Sequence, residues 1–288
     1  MFKIVKYLWV DCFIDKFAKL YPQIPSFLLY NNRHNVELAI KDGNLSLDFS
    51  KINTYFEVLL KKFEVKKILI DISAVSNIKN VLLPCDSFFL PYSVQNYKKF
   101  HLEHYILLKD YVQGQYCIFD DNPIFEGLLS ENLVNASYEY FNSPIFHYSV
   151  PEKILNADES LSLFSATWEI PQCTPAKFID LLLEEVGRKE KILRIIEESR
   201  IPFKRYNSIL NCFFDMEKFG FDVSTVIEVG QRYMGELAFI SNLASVGLIC
   251  PEKYIERIIK RMVKLKGLEC EFLGEANRVV KTICGATN

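Results

Sequence analysis

The spacing of apolar residues along the chain changes near residue 150. Before that point, short apolar runs bounded by turn-forming residues predict β-strands, among them 66–72 and 80–84. Beyond that point the apolar residues recur at the spacing of an amphipathic helix, which predicts about five helices. The pattern therefore indicates an α+β protein with a first domain over residues 1–150 and an appended helical region over residues 151–288.

A predicted β-hairpin lies in the second half of the first domain. His104 opens the apolar run 105–108, the segment 113–115 contains a glycine, and the apolar run 116–119 leads to Asp120. Two β-prone runs joined through such a turn are typical of a hairpin. A hairpin can bring the histidine at one base near the aspartate at the other. This arrangement supplies the base and the orienting carboxylate of a nucleophilic triad.

Cys12 is the candidate nucleophile for this pair. The segment 12–21 has apolar residues at helical spacing and ends before Pro22, and we expect Asp11 as its N-cap. These features predict a helix with Cys12 in its first turn, where the helix dipole favours a thiolate. The carboxylates of Asp11 and Asp15 act in the opposite direction. A buried cysteine in an ordinary N-terminal helix is the alternative interpretation.

The other cysteines do not form a recognisable framework. The chain contains eight cysteines, none spaced as Cys-x-x-Cys and none clustered with histidine. A structural zinc site and a disulfide framework are therefore not expected. We expect the cysteines other than Cys12 to be buried and mostly inert.

The overall composition limits the classes of partner. Hydrophobic residues make up 50% of the chain, which is enough for a sizeable core. The net charge of −2 provides no general attraction to nucleic acid or to anionic membranes. Without a long apolar run or a clear secretory signal, a cytoplasmic protein is expected. The basic run 260–266 is interpreted either as a solvated helix face or as a dock for an acidic partner such as a carrier protein.

Several features of the first domain together resemble a known family. They are Cys12 at a helix start, Asp86, the run Leu90-Pro91-Tyr92, His104 followed by Tyr-Ile-Leu-Leu, and Asp120. In this order they resemble the N-terminal domain of butirosin biosynthesis protein H, within the papain-like cysteine peptidase and acyltransferase superfamily. The resemblance covers roughly residues 5–150. It implies a papain-like fold, in which a central helix packs on an antiparallel sheet.

The resemblance also implies an activity. The family is expected to move an acyl group from a carrier-protein thioester to an amine, in natural-product biosynthesis of the nonribosomal-peptide type. The donor would be the phosphopantetheine arm of an acyl or peptidyl carrier protein, the acceptor a small amine, and no other cofactor is implied. In these terms Cys12 is the nucleophile, His104 the base, and Asp120 the residue that orients the imidazole.

The remaining predicted contacts are with the substrate. Asp86 and Tyr92 lie beside the predicted hairpin, and both are expected to bind substrate. Lys6 stands where peptidase relatives often have the glutamine that completes the oxyanion hole. The oxyanion would then rely on the backbone N–H of Cys12 and on a second donor, for which Lys6 is the candidate.

Three alternatives stay open at this level. Asp121 competes with Asp120 as the orienting residue, although the spacing from His104 favours Asp120, and a shift of one residue would turn the side chain to the opposite face. The same catalytic residues could instead hydrolyse a peptide or a thioester. The chain could also be a non-enzymatic binding module that keeps the fold.

Overall fold

The protein combines helices with antiparallel sheet, as the sequence predicts. A computed structural model describes residues 9–33, 37–41, 44–48, 50–121, 123–151, 155–170, 174–185, 189–198, 206–218 and 220–286. The described strands are β1 (Glu37–Lys41), β2 (Asn44–Asp48), β3 (Lys66–Ile70), β4 (Val81–Asp86), β5 (Glu103–Val112), β6 (Gln115–Asp121), β7 (Ile124–Ser130) and β8 (Ile145–Ser149). The described helices are α1 (Trp9–Leu20), α2 (Ser26–Tyr30), α3 (Ser50–Lys62), α4 (Glu131–Glu139), α5 (Ala157–Thr167), α6 (Pro175–Glu185), α7 (Lys189–Glu198), α8 (Asn207–Glu217), α9 (Ser224–Gly247) and α10 (Pro251–Ala286).

The chain divides into two compact units. One takes Met1–Pro25 and Val58–Ile154, and the other takes Ser26–Glu57 and Leu155–Asn288. The division at residue 154 lies close to the predicted boundary at 150. However, the first unit is assembled from two stretches instead of the continuous 1–150 that the sequence predicts, since 26–57 belong to the second unit.

The apolar side chains of α2 explain this assignment. Phe27, Leu28 and Leu29 are all buried, and the ring of Phe27 packs on that of Phe164 in α5 with 5.7 Å between centroids. The thiol of Cys212 in α8 donates to the backbone carbonyl of Phe27 at 3.4 Å. Burial of these three apolar side chains stabilises the contact by roughly 1.5–3 kcal/mol each, which holds the stretch in the second unit.

The first unit is built on a six-stranded antiparallel sheet. The strand order is β3-β8-β4-β5-β6-β7, and all six residues of the central strand β4 are buried. The β5–β6 hairpin is confirmed: Val112 lies opposite Gln115, with Gln113 and Gly114 as its two turn residues. Both turn residues have positive φ values, 51° and 79°, which matches the right-handed twist of the two strands. The core under this hairpin contains Leu83, Cys85, Ile106, Leu108, Tyr116 and Ile118.

Helix α1 packs against β5, as a central helix on a sheet would. The ring of Phe13 meets that of Tyr105 at 5.2 Å between centroids, and the ring of Phe17 meets that of Tyr148 at 5.3 Å. Asp11 lies inside α1, so its prediction as N-cap is wrong.

The last described helix of the second unit, α10, is continuous over Pro251–Ala286. Leu265, Leu268 and Phe272 are all buried at helical spacing, so its buried face continues through the middle of the helix. Within the described part of the chain, no helix is long and apolar enough to cross a membrane.

The basic run 260–266 lies on α10, where several of its charges are already paired. Arg261 and Lys264 both contact the buried carboxylate of Glu236, at 2.7 Å and 2.9 Å. Lys266 contacts Asp180 at 2.6 Å. These ion pairs give the run a structural function and favour the solvated-face interpretation over a dock for a carrier protein.

Candidate active site

The β5–β6 hairpin brings His104 and Asp120 together. Leu107 lies opposite Phe119, and this register places Asp120 diagonal to His104 on the same face of the sheet. The Nε2 atom of His104 lies 2.9 Å from Asp120 Oδ1 and 2.7 Å from Oδ2. The predicted pair of base and orienting carboxylate is therefore present in the fold.

Cys12 is the third member of this cluster. Its side chain interacts with the imidazole of His104, and because Nε2 faces Asp120, Nδ1 is the ring nitrogen available to the sulfur. Cys12 is partly exposed, whereas His104 and Asp120 are buried. The structure thus brings together all three residues predicted as a triad.

The electrostatics of the pair favour a charged histidine. Burial by itself would lower the pKa of His104, because it disfavours the cation. The negative charge of Cys12, the hydrogen bonds to Asp120 and Cys12, and the charge of Asp120 act in the opposite direction and raise the pKa of His104 to about 9. His104 is therefore an imidazolium at neutral pH. An imidazolium beside a thiol favours the thiolate, which is the nucleophilic form.

The Asp120 carboxylate is held by more than the histidine. The hydroxyl of Tyr92 donates to Oδ2 at 2.9 Å, and Lys16 Nζ lies 3.1 Å from Oδ1. The ring of Tyr92 is fixed in turn by stacking on Phe125, with 4.1 Å between centroids. Burial and the charge of Asp120 raise the pKa of Tyr92 far above its usual range, so the hydroxyl stays a neutral donor. Tyr92 thus positions Asp120, and its predicted contact with substrate stays a prediction.

Lys16 is a member of this site that the sequence analysis missed. Its side chain is 0% exposed, and its ammonium pairs with both Asp120 and Asp121. It follows Cys12 by four residues in α1 and so lies on the same helix face. Burial lowers the pKa of Lys16, but the charges of Asp120, Cys12 and Asp121 outweigh burial and raise it above its usual value. The sequence signal that could have indicated Lys16 is its position, one helical turn after the candidate nucleophile Cys12.

The competition between the two adjacent carboxylates is resolved by geometry. Asp120 is fully buried and bonded to His104, whereas Asp121 is 32% exposed and pairs with Lys16. The preference for Asp120, which rested on its spacing from His104, agrees with this arrangement. Asp121 pairs with Lys16, Lys16 pairs with Asp120, and Asp120 is hydrogen-bonded to His104.

Asp86 organises the loop between β4 and β5. Its Oδ1 accepts from the backbone N–H groups of Phe88 at 3.0 Å and Leu102 at 3.1 Å, and its Oδ2 lies 2.5 Å from His101 Nδ1. The His101 ring stacks on Phe88 at 4.2 Å and on Tyr140 at 4.0 Å between centroids. These contacts give the buried Asp86 carboxylate a structural role in closing the loop. Its predicted contact with substrate stays a prediction.

The other predicted features have mixed outcomes. Lys6 lies outside the described residues. Among the described cysteines, Cys85 and Cys212 are buried as expected. Cys117 is partly exposed and Cys250 and Cys270 are exposed, so the expectation that the other cysteines are buried is wrong for these three. Among the described residues, no group of three or more histidine, cysteine and acidic side chains could hold a metal ion.

Comparisons with known proteins leave the family open. No protein-family model matches the chain, and no curated protein matches it in sequence. The resemblance to the N-terminal domain of butirosin biosynthesis protein H therefore stays a prediction that rests on the residues named above.

Proposed function

We propose that the protein is a cysteine-dependent acyltransferase with Cys12 as its nucleophile. The observation that carries the proposal is the cluster in which Cys12 interacts with His104 and His104 is hydrogen-bonded to Asp120. A nucleophile, a base and a group that orients the base are the parts that covalent acyl transfer requires. The partial exposure of Cys12, beside two buried partners, supports the same role because a substrate must reach the sulfur.

In the first half of the proposed cycle the Cys12 thiolate attacks the carbonyl carbon of a thioester donor. A bond forms between the Cys12 sulfur and that carbon, and the carbon–sulfur bond of the donor breaks. The departing thiolate takes the proton from Nδ1 of the His104 imidazolium. The result is an acyl-Cys12 thioester, a free donor thiol and a neutral His104, whose Nε2–H stays directed at Asp120.

In the second half an amine attacks the acyl-Cys12 carbonyl carbon. Neutral His104 accepts the proton that the amine loses, and the bond between the carbon and the Cys12 sulfur breaks. The amide leaves, and the thiolate and imidazolium are restored. Asp120 keeps the imidazole in one orientation through both halves, which is the contribution that such a carboxylate makes in a triad.

The substrate class and the finer fold come from the family resemblance. We infer a papain-like arrangement, supported by the packing of α1 on β5 and by the placement of the histidine and aspartate on neighbouring strands. The donor is then the phosphopantetheine thioester of an acyl or peptidyl carrier protein. The acceptor is a small amine in a nonribosomal-peptide type of biosynthesis.

Hydrolysis is the nearest rival function. Water in place of the amine would turn the same cycle into cleavage of a peptide or a thioester, and the same three residues would serve it. A non-enzymatic binding module is less well supported, because Cys12 is partly exposed and interacts with His104 instead of being buried away from it.

The direct test is to trap the acyl-enzyme. A variant with Cys250→Ser and Cys270→Ser removes the two thiols that are exposed among the described cysteines, and it serves as the parent. This protein is incubated with an acyl-pantetheine thioester, and peptides are mapped by mass spectrometry. We expect an acyl adduct on the Cys12 peptide, absent from the Cys12→Ala variant.

The fate of the adduct separates the functions. Loss on addition of a primary amine, with formation of the amide, supports the transferase. Rapid loss in buffer alone assigns a hydrolase. If no adduct forms, and Cys12 is alkylated no faster than Cys250 in the unmodified chain, the catalytic proposal is wrong.

A further inference from the structure

The charges around Cys12 include one that the acyl-transfer cycle does not use. Lys16 is fully buried, and its ammonium lies between the carboxylates of Asp120 and Asp121. Burying an ammonium is costly in free energy unless it is paired, and here the two carboxylates provide that pairing. An ordinary core position on this face of α1 would instead carry an apolar side chain.

Several titratable groups face this position from the elements packed on α1. They are Cys12 on α1 itself, Cys85 on β4, His104 and Tyr105 on β5, Asp120 and Asp121 on β6, and Tyr92 in the loop before β5. Burial raises the pKa of Cys85, and that of each of the two tyrosines, so these groups stay neutral. In the proposed resting state the charged groups are the Cys12 thiolate, the His104 imidazolium and the two carboxylates, and together they have an excess of negative charge. The ammonium of Lys16 offsets part of this excess.

We propose that Lys16 is a positioning residue of the active site, which holds the Asp120 carboxylate against His104 and sets the pH range in which the Cys12 thiolate and the His104 imidazolium coexist. The inference rests on the proposed nucleophilic role of Cys12. Lys16 itself is buried and is placed to act through Asp120 and through the charge it presents to Cys12.

The direction of the effect follows from the sign of the charge. A cation stabilises the thiolate, so its removal moves thiolate formation to higher pH. Removal of Lys16 also leaves Asp120 with one donor fewer. The carboxylate then acts more strongly on His104, which keeps its proton to higher pH. The lower limit of the range, where the thiolate forms, and the upper limit, where the imidazolium loses its proton, should therefore both move upward. An opposite charge within about 4–6 Å typically moves the pKa of a titrating group by about 1–3 pH units.

Asp121 offers a test of the opposite sign. It pairs with Lys16, and its side chain is 32% exposed, so its charge is partly screened. Asp121→Asn removes a negative charge and leaves Lys16 to act on Asp120 and Cys12 alone. Both limits should move downward, by less than the upward shift expected for Lys16→Met.

The experiment measures the alkylation rate of Cys12 by iodoacetamide across a pH series, which needs no substrate. The parent carries Cys250→Ser and Cys270→Ser, and the variants add Lys16→Met, Lys16→Arg or Asp121→Asn. We expect Lys16→Met to move the midpoint upward by about one pH unit or more, so that labelling below the midpoint slows about tenfold or more. Lys16→Arg keeps the charge, so the midpoint should stay closer to that of the parent.

The possible results separate the two proposals. If the parent shows no thiolate-like labelling of Cys12 at acidic pH, the proposed nucleophile fails. If the parent shows it, but neither Lys16→Met nor Asp121→Asn moves the midpoint, Lys16 is only structural and the inference is overturned. If Lys16→Met does not fold, as judged by circular dichroism, the downward shift in Asp121→Asn decides alone, and an unchanged midpoint there refutes the inference.

Discussion

Replacing Asp120 by asparagine tests both functions of this carboxylate at once. The substitution keeps the shape of the side chain and removes the charge that holds the imidazole of His104 and the ammonium of Lys16. Loss of the orienting carboxylate in a nucleophilic triad lowers turnover by about 10⁴-fold. We expect acyl transfer by Asp120→Asn to fall by about 10³- to 10⁴-fold.

The same substitution should also reduce stability, which an orienting role alone does not require. The side chains of Lys16 and Asp120 are both 0% exposed, and removing one partner of a buried ion pair costs about 3–5 kcal/mol. Asp121 stays paired with Lys16, and because it is partly exposed it offsets part of this cost. The expected net loss in the free energy of unfolding is about 2–4 kcal/mol.

A double-mutant cycle isolates the contribution of the pair. Lys16→Met and Asp120→Asn each leave one member of the pair buried with fewer partners, whereas the double variant removes both charges. The double variant should therefore cost less than the two single variants together, by about 1–3 kcal/mol in urea unfolding at neutral pH.

The matched control is the exposed pair of Lys109 and Glu126 on the same sheet, whose side chains are 36% and 67% exposed. Its coupling should be clearly weaker than that of the buried pair, because solvent screens exposed charges. If the Lys16–Asp120 cycle is additive to within about 0.5 kcal/mol, the reasoning from burial is refuted.

Four further predictions follow from the geometry. In Cys12→Ala the imidazole of His104 should titrate below the value of about 9 by NMR, because the thiolate charge that raises its pKa is gone; an unchanged titration contradicts the contact. Since that folded pKa lies above the usual 6.5, the stabilisation from protonated His104 is complete below about pH 6.5 and is lost as pH rises through 9. Urea unfolding over this range should show the decline, and Cys12→Ala should shift it to lower pH. Asp86→Ala should destabilise the β4–β5 loop by about 1–3 kcal/mol and speed its limited proteolysis. A raised KM with normal stability would instead support the predicted contact of Asp86 with substrate. Gly114→Ala should cost about 1 kcal/mol of unfolding free energy at its φ of 79°, and Gly114→Asn less, since asparagine tolerates this conformation.

Much of the candidate site was predictable from the sequence, because it depends on local structure. The β5–β6 hairpin follows from two apolar runs and a glycine turn, and its register then places His104 diagonal to Asp120. The helix that carries Cys12 follows from its apolar spacing. Each of these inferences uses contacts within one element or between two consecutive strands, where the sequence restricts the geometry strongly.

The tertiary structure alone decided what surrounds that triad. Tyr92 and Lys16 reach Asp120 from separate parts of the chain, and the carboxylate of Asp86 is occupied by the loop it closes. In sequence, a lysine on an amphipathic helix is an ordinary solvated residue. Lys16 is buried because α1 packs where β6 presents two carboxylates, and only the assembled sheet determines that position. A charge so far along the chain from its partners has no local signature, since its cost and its compensation both arise in three dimensions.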